Sequence, residues 1–183
     1  MSIKIFITLL FFFAAFTAVA QLPDNRISWQ KDALTWDDFL GPIDGTSPFH
    51  ASTNSGLSYS WSMKSSNGNI DFNYIVETFF LPDNSWVITD KATPHLLSHE
   101  QLHFDITELH GRKLRQAMKG FDPMKTKDVK VHLKKLYTAT ETGRKQMQER
   151  FDLETDHSRD KAVQEKWQKF LDAELKKLEE FSG

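Results

Sequence analysis

Leu57-Ser58-Tyr59-Ser60-Trp61-Ser62-Met63 alternates apolar and polar residues, and Ile70-Asp71-Phe72-Asn73-Tyr74-Ile75-Val76 takes the alternation up again after Asn67-Gly68. A period of two sends successive side chains to opposite faces, so each run reads as a half-buried strand. Asn and Gly both accept positive φ, which suits the two-residue turn that right-twisted strands require. The stretch predicts an antiparallel hairpin. Pro82-Asp83-Asn84 reads as a further turn, and Ser85-Trp86-Val87-Ile88 extends the expectation to a three-stranded meander. Upstream, Thr35-Trp36-Asp37-Asp38-Phe39 has the form of a capped helical turn closed by Gly41-Pro42.

Beyond Thr93 the period changes. Thr93-Pro94 makes an N-cap and first-turn pair, and a helix is predicted from Pro94 to about Met118, stopped by Gly120-Phe121-Asp122-Pro123. A second helix is expected from about Lys125 to Arg150, striped by Val129, Leu133, Leu136 and Met147. A third, from about Asp160 to Phe181, places Val163, Trp167, Phe170, Leu171, Leu175 and Leu178 at helical spacing. Strands followed by helices point to an α+β domain, and a length of 183 residues allows one, spanning 21–183.

The segment before that domain reads as an address. Ser2 to Lys4 supply a short positive start, Ile5 to Phe16 an apolar run, and Ala18-Val19-Ala20 a small-x-small cleavage pattern. Residues 1–20 are thus expected to be a signal peptide cut near Ala20-Gln21, leaving a secreted or periplasmic protein. No later run approaches the roughly 20 apolar residues of a span, so no stable membrane insertion is expected after cleavage. With 23 Lys+Arg against 25 Asp+Glu, no basic surplus exists to neutralise phosphates, which excludes nucleic acid as an electrostatically bound partner. The absence of cysteine excludes disulfides, thiolate zinc sites and cysteine nucleophiles. Any metal must rest on His and carboxylate ligands.

Such a pattern stands in the first long helix: His99-Glu100-Gln101-Leu102-His103. Residues four apart on a helix differ by about 40° in direction and about 6 Å in rise, so two imidazoles can converge on one ion. His99 and His103 are therefore expected metal ligands and Zn2+ the expected cofactor. Glu100 lies close enough to act as general base on a zinc-activated water and then to protonate the leaving amine. This H-E-x-x-H arrangement is that of the zincins.

Other histidines share the helix face. His110 lies about 10.5 Å beyond His103 and cannot reach the same ion. The metzincin spacing fails, because Ile106 and Leu109 stand where it needs Gly and His. His95 reads as a neighbour of the site or as solvent-facing. Asp105, Glu108 and Arg112 read as surface residues, with Glu108 and Arg112 forming an i,i+4 pair. His132 is expected in solvent, and His50 gives no distinct signal. A third ligand must come from elsewhere, and the richest segment is Phe151-Asp152-Leu153-Glu154-Thr155-Asp156-His157-Ser158. His157 is the first choice, because a loop imidazole at a helix boundary can be aimed freely; Glu154 is the second, giving a His2Glu set.

His99 to Ile106 resembles the core motif of the bacterial predicted secreted zinc-dependent protease family, domain of unknown function 922. Leu34-Thr35-Trp36-Asp37-Asp38-Phe39, Ser85-Trp86-Val87 and Phe151-Asp152-x-Glu154-Thr155-x-His157 are similar to further segments of it, so the resemblance runs from about Ile27 to Trp167. The family's last motif begins with Tyr and ends with Gly after the His, whereas this chain has Phe151 and Ser158. The resemblance implies a zincin-like α+β fold, a β meander packed against the active-site helix, with two further C-terminal helices. The expected function is a secreted zinc metalloprotease acting on a peptide or protein substrate, which an edge of the meander could bind as an added strand. The competing expectations are a non-catalytic secreted metal-binding module and a cell-wall amide hydrolase.

Overall fold

The computed structural model describes residues 25–30 and 33–183; the expected signal peptide lies outside them. The strands are β1 (Ile27–Ser28), β2 (Ala51–Ser52), β3 (Ser55–Ser66), β4 (Asn69–Phe80) and β5 (Trp86–Val87), and the helices are α1 (Pro94–Lys119), α2 (Val129–Glu154) and α3 (Lys161–Lys177). The architecture is α+β, with antiparallel sheets set beside three helices.

β3 and β4 form the expected hairpin, in register from Ser66↔Asn69 at the turn to Ser55↔Phe80 at the base. Asn67 and Gly68 take φ of 51° and 80°, the left-handed pair that lets the turn close in two residues. Leu57, Val76, Thr78 and Phe80 are buried on one face, while Ser60 and Glu77 alternate with them to solvent. The expected third strand of a meander is absent from this sheet. β1 occupies the second edge of β4 (Ile27↔Phe80), so the order is β1-β4-β3. With both edges of β4 taken at its C-terminal end, the chain turns through Pro82–Asn84 and β5 pairs with β2 in a separate two-stranded sheet.

α1 is capped as read from the sequence, Thr93 Oγ1 accepting from the Leu96 N–H at 3.1 Å. Leu102, Phe104, Ile106, Leu109, Leu114 and Met118 are buried around its whole circumference. A helix apolar on all sides needs neighbours on all sides, and α1 packs against the main sheet, α2 and α3. It lies close against the sheet at Gly111, where a Cβ would come within 2.3 Å of Thr78 Cγ2. α2 starts at an Asp128 cap and continues to Glu154, one turn past the expected end at Arg150. α3 starts at an Asp160 cap and lays Trp167, Leu171 and Leu175 against Leu102, Ile106 and Phe151. Among the described residues, no helix is long and apolar enough to cross a membrane.

Candidate metal centre

Two neighbouring helices meet at the H-E-x-x-H turn. His99 and His103 project from α1, and both Nε2 atoms face one oxygen of α2, Asp152 Oδ1, at 3.2 and 3.0 Å. The donor atoms of His99, His103 and Asp152 lie within 4.8 Å of one another. Asp152 reaches α1 because it shares a stripe with Arg144 and Gln148, four residues apart on one face of α2. Gln148 is tied to His103 twice: its Oε1 meets His103 Nδ1, and its Nε2 donates to the His103 carbonyl at 2.8 Å. That bond sets Nδ1–H as the donor and turns Nε2 toward Asp152. Phe151 stacks on His99 at 4.5 Å and meets His103 edge-on at 4.9 Å, which fixes both rings.

Burial is the largest influence on all three groups, opposing charge on each. At Asp152 it is overcome by the bonds from His103 and His99, which hold the carboxyl well below the usual carboxylate range. His103 rises above its ordinary value, because Asp152, Glu100 and Gln148 together outweigh burial. At His99 burial wins and the ring falls below its ordinary value. A buried imidazole biased to the neutral form beside a firmly ionised carboxylate is a state fit for a cation.

Glu100 and His99 are each 3 % exposed, and both carry a buried polar atom without a partner: Glu100 Oε2 and His99 Nδ1. Buried polar atoms are paired almost everywhere in proteins, so two orphans at one spot mark a place built for something further. They border a cleft of about 810 Å³ walled by residues 48–55 on one side and by Leu96, His99, Glu100, His103, Gln148 and Asp152 on the other. The three donors could hold a metal ion, with the orphaned carboxylate oxygen at the same cleft.

His157, the expected third ligand, stands beside this group rather than in it. Its Nδ1 is 3.8 Å from Asp152 Oδ1, its side chain is 38 % exposed, and its ring packs on Phe49 at 4.4 Å. Because α2 runs to Glu154, Asp152 is still helical and supplies the donor, while His157 lies in the turn that follows. Asp156, His157 and Ser158 take φ of 48°, 50° and 70°, three left-handed residues in succession, the last standing where the resembled motif has Gly. Glu154, two residues past Asp152 and so about 200° round the helix, faces away and accepts from Trp167 Nε1 at 2.9 Å and Arg150 Nε at 2.7 Å. His95 bonds the Ser158 carbonyl through Nε2 at 2.8 Å, bracing the left-handed turn. His110 is buried, its Nδ1 on the Ile106 carbonyl at 2.9 Å. His132 is exposed as expected and stacks on Phe121, whereas His50 lines the cleft, a position its sequence context did not signal.

The reading of Asp105, Glu108 and Arg112 as surface residues is corrected. Glu108 is fully buried, Arg112 is 4 % exposed and Asp105 is 6 % exposed, because β4, α3 and Trp29 cover that face. Glu108 accepts from Arg112 Nε at 2.8 Å, from Arg115 at 3.1 Å and from Thr78 Oγ1 at 2.5 Å. Arg112 also donates to the Leu175 carbonyl at 2.6 Å, and Asp105 accepts from Trp29 Nε1 and Gln101 Nε2, each at 2.9 Å.

A family model described as "Bacterial protein of unknown function (DUF922)" matches residues 32–158, a span holding α1, α2 and every residue of the metal group. No curated protein and no solved structure matches the chain.

Proposed function

We propose, for a chain that belongs to the DUF922 family of bacterial proteins of unknown function, that the cleft is the active site of a zincin-like, secreted zinc-dependent peptidase. His99, His103 and Asp152 would hold the ion, two imidazoles and a carboxylate being the ligand set of a catalytic zinc that keeps a position open. When bound, zinc polarises the substrate carbonyl and makes a water acidic enough to attack at neutral pH.

The chain's own groups carry the proton. Glu100 Oε2, buried and unpartnered, accepts it from the attacking water and delivers it to the amine nitrogen as the C–N bond breaks. Gln148 holds His103 in the tautomer that presents Nε2. The substrate edge is β2. The Ile88 N–H donates to the His50 carbonyl at 2.7 Å, so His50 and Ser52 turn their main-chain groups to β5, while Ala51 and Thr53 turn theirs the other way. Among the described residues no strand pairs with that second edge, and an extended peptide added there would lie along the cleft that residues 50–55 and Glu100 line.

The observation that carries this reading is the group of three donors within 4.8 Å beside a carboxylate oxygen with no partner. The orphaned oxygen favours turnover over a purely structural metal, whose site would leave no base unspent. Purified protein should hold about one zinc per chain and cleave peptides from a mixed library, losing activity to a chelator and regaining it with zinc. Glu100→Gln should lower kcat by about 10²–10⁴-fold with zinc content kept. Full activity in that variant, or a wild-type chain that takes up no zinc, overturns the reading; cleavage confined to peptidoglycan amides redirects it to cell-wall hydrolysis.

A further inference from the structure

We propose that His157 is a further catalytic residue of this cleft, donating a hydrogen bond to the substrate carbonyl oxygen as that oxygen takes up negative charge; the inference rests on the peptidase reading above. Attack by water sends the C=O π pair onto oxygen while Glu100 takes the water's proton. When the pair returns, the C–N bond breaks and nitrogen leaves with the proton that Glu100 held. Glu100 and Asp152 only accept hydrogen bonds when ionised, so neither can stabilise that oxygen. A donor is needed beside them.

The cleft's two guanidiniums are otherwise engaged. Arg144 is gripped by both Glu141 oxygens at 2.9 and 3.0 Å and donates to the Ser55 carbonyl at 3.3 Å. Arg159 is paired with Asp156 at 2.7 Å. His157 stands against the metal group, 3.8 Å from Asp152 Oδ1, and its ring nitrogens make no hydrogen bond among the described residues.

Its backbone shows that the position is enforced. Three successive non-glycine residues in the left-handed region are unfavourable, and such strain persists only where surroundings over-determine it. Here the surroundings are explicit. The His157 N–H donates to the Asp152 carbonyl at 2.9 Å and the Asp160 N–H to the Thr155 carbonyl at 2.8 Å. His95, one helical turn before His99, holds the Ser158 carbonyl. Both helices that supply the metal group thus also anchor the turn, and Phe49 packs on the ring from the opposite wall. The imidazole is held in place yet left open to the cleft.

The test compares zinc-loaded wild type, His157→Ala and His157→Gln for peptide cleavage, zinc content and affinity for a phosphinic peptide, a tetrahedral mimic. His157→Ala should lower kcat about 10²–10³-fold with KM within a few-fold, zinc content unchanged and the mimic bound weaker by a similar factor. His157→Gln, which keeps a donor, should recover part of both losses. If the Ala variant does not fold, His157→Gly, which takes left-handed φ without strain and carries no donor, takes its place. Wild-type kcat in the variant overturns the inference alone, and so does a loss of zinc, which makes His157 a ligand. A wild type that neither cleaves peptides nor binds the mimic overturns the peptidase reading and the inference with it.

Discussion

α1 carries two buried polar clusters, and they differ in one respect. Toward its C-terminal half, Glu108 spends both oxygens on Arg112, Arg115 and Thr78, and the two guanidiniums reach on to the Leu175, Val76 and Phe181 carbonyls. Toward its N-terminal half, His99, His103 and Asp152 converge while Glu100 Oε2 and His99 Nδ1 stay unpartnered. Both clusters sit largely out of water against the same helix, so burial of charge does not tell them apart. Saturation does. A buried polar atom left unpaired costs about 1–3 kcal/mol, and α1 tolerates that where a cleft opens onto it.

The contrast breaks most visibly at Glu108. Glu108→Ala leaves two buried guanidiniums without their carboxylate and should lower stability by about 3–5 kcal/mol, read by urea unfolding of metal-free protein. Glu100→Gln in the same assay should differ little from wild type, since the oxygen it replaces has no partner to lose. A more modest effect is expected at the edge of the open cluster. Gln148→Ala removes the bond that orients His103 and should weaken zinc about 10–100-fold, measured by chelator competition, with metal-free stability much less affected than in Glu108→Ala. The smallest effect concerns acid. Asp152 titrates below the usual carboxylate range in the folded chain, so its contribution is complete above the unfolded value of about 4 and fades as pH falls through the folded one. Metal-free wild type should therefore lose stability below about pH 4 more steeply than Asp152→Asn; parallel curves would show that the carboxylate's bonds to the imidazoles carry no weight.

Features that depend on local chemistry were legible in the sequence. Asn67-Gly68 specified the hairpin turn, Thr93-Pro94 specified the start of α1, and the spacing of His99 and His103 set two imidazoles on one helix face. The segment that meets that face was legible too, but not the residue within it. Whether Asp152 or His157 faces the imidazoles depends on where α2 ends, and one further helical turn decides for Asp152. Partners set by distant chain were hidden altogether. β5 joins β2 because β1 already occupies the edge of β4. Asp105, Glu108 and Arg112 are covered by β4, α3 and Trp29, which no periodicity in α1 announces. A hint was present in Leu102, Phe104, Ile106 and Leu109, which leave that helix no side free for water.

The shared oxygen of Asp152 has one more implication. A single carboxylate oxygen spans both imidazoles and so ties α2 to α1 at the point where the three donors converge. On the reading proposed above, protons would leave as metal enters, so occupancy would follow the acidity and metal supply of the compartment in which the chain finds itself.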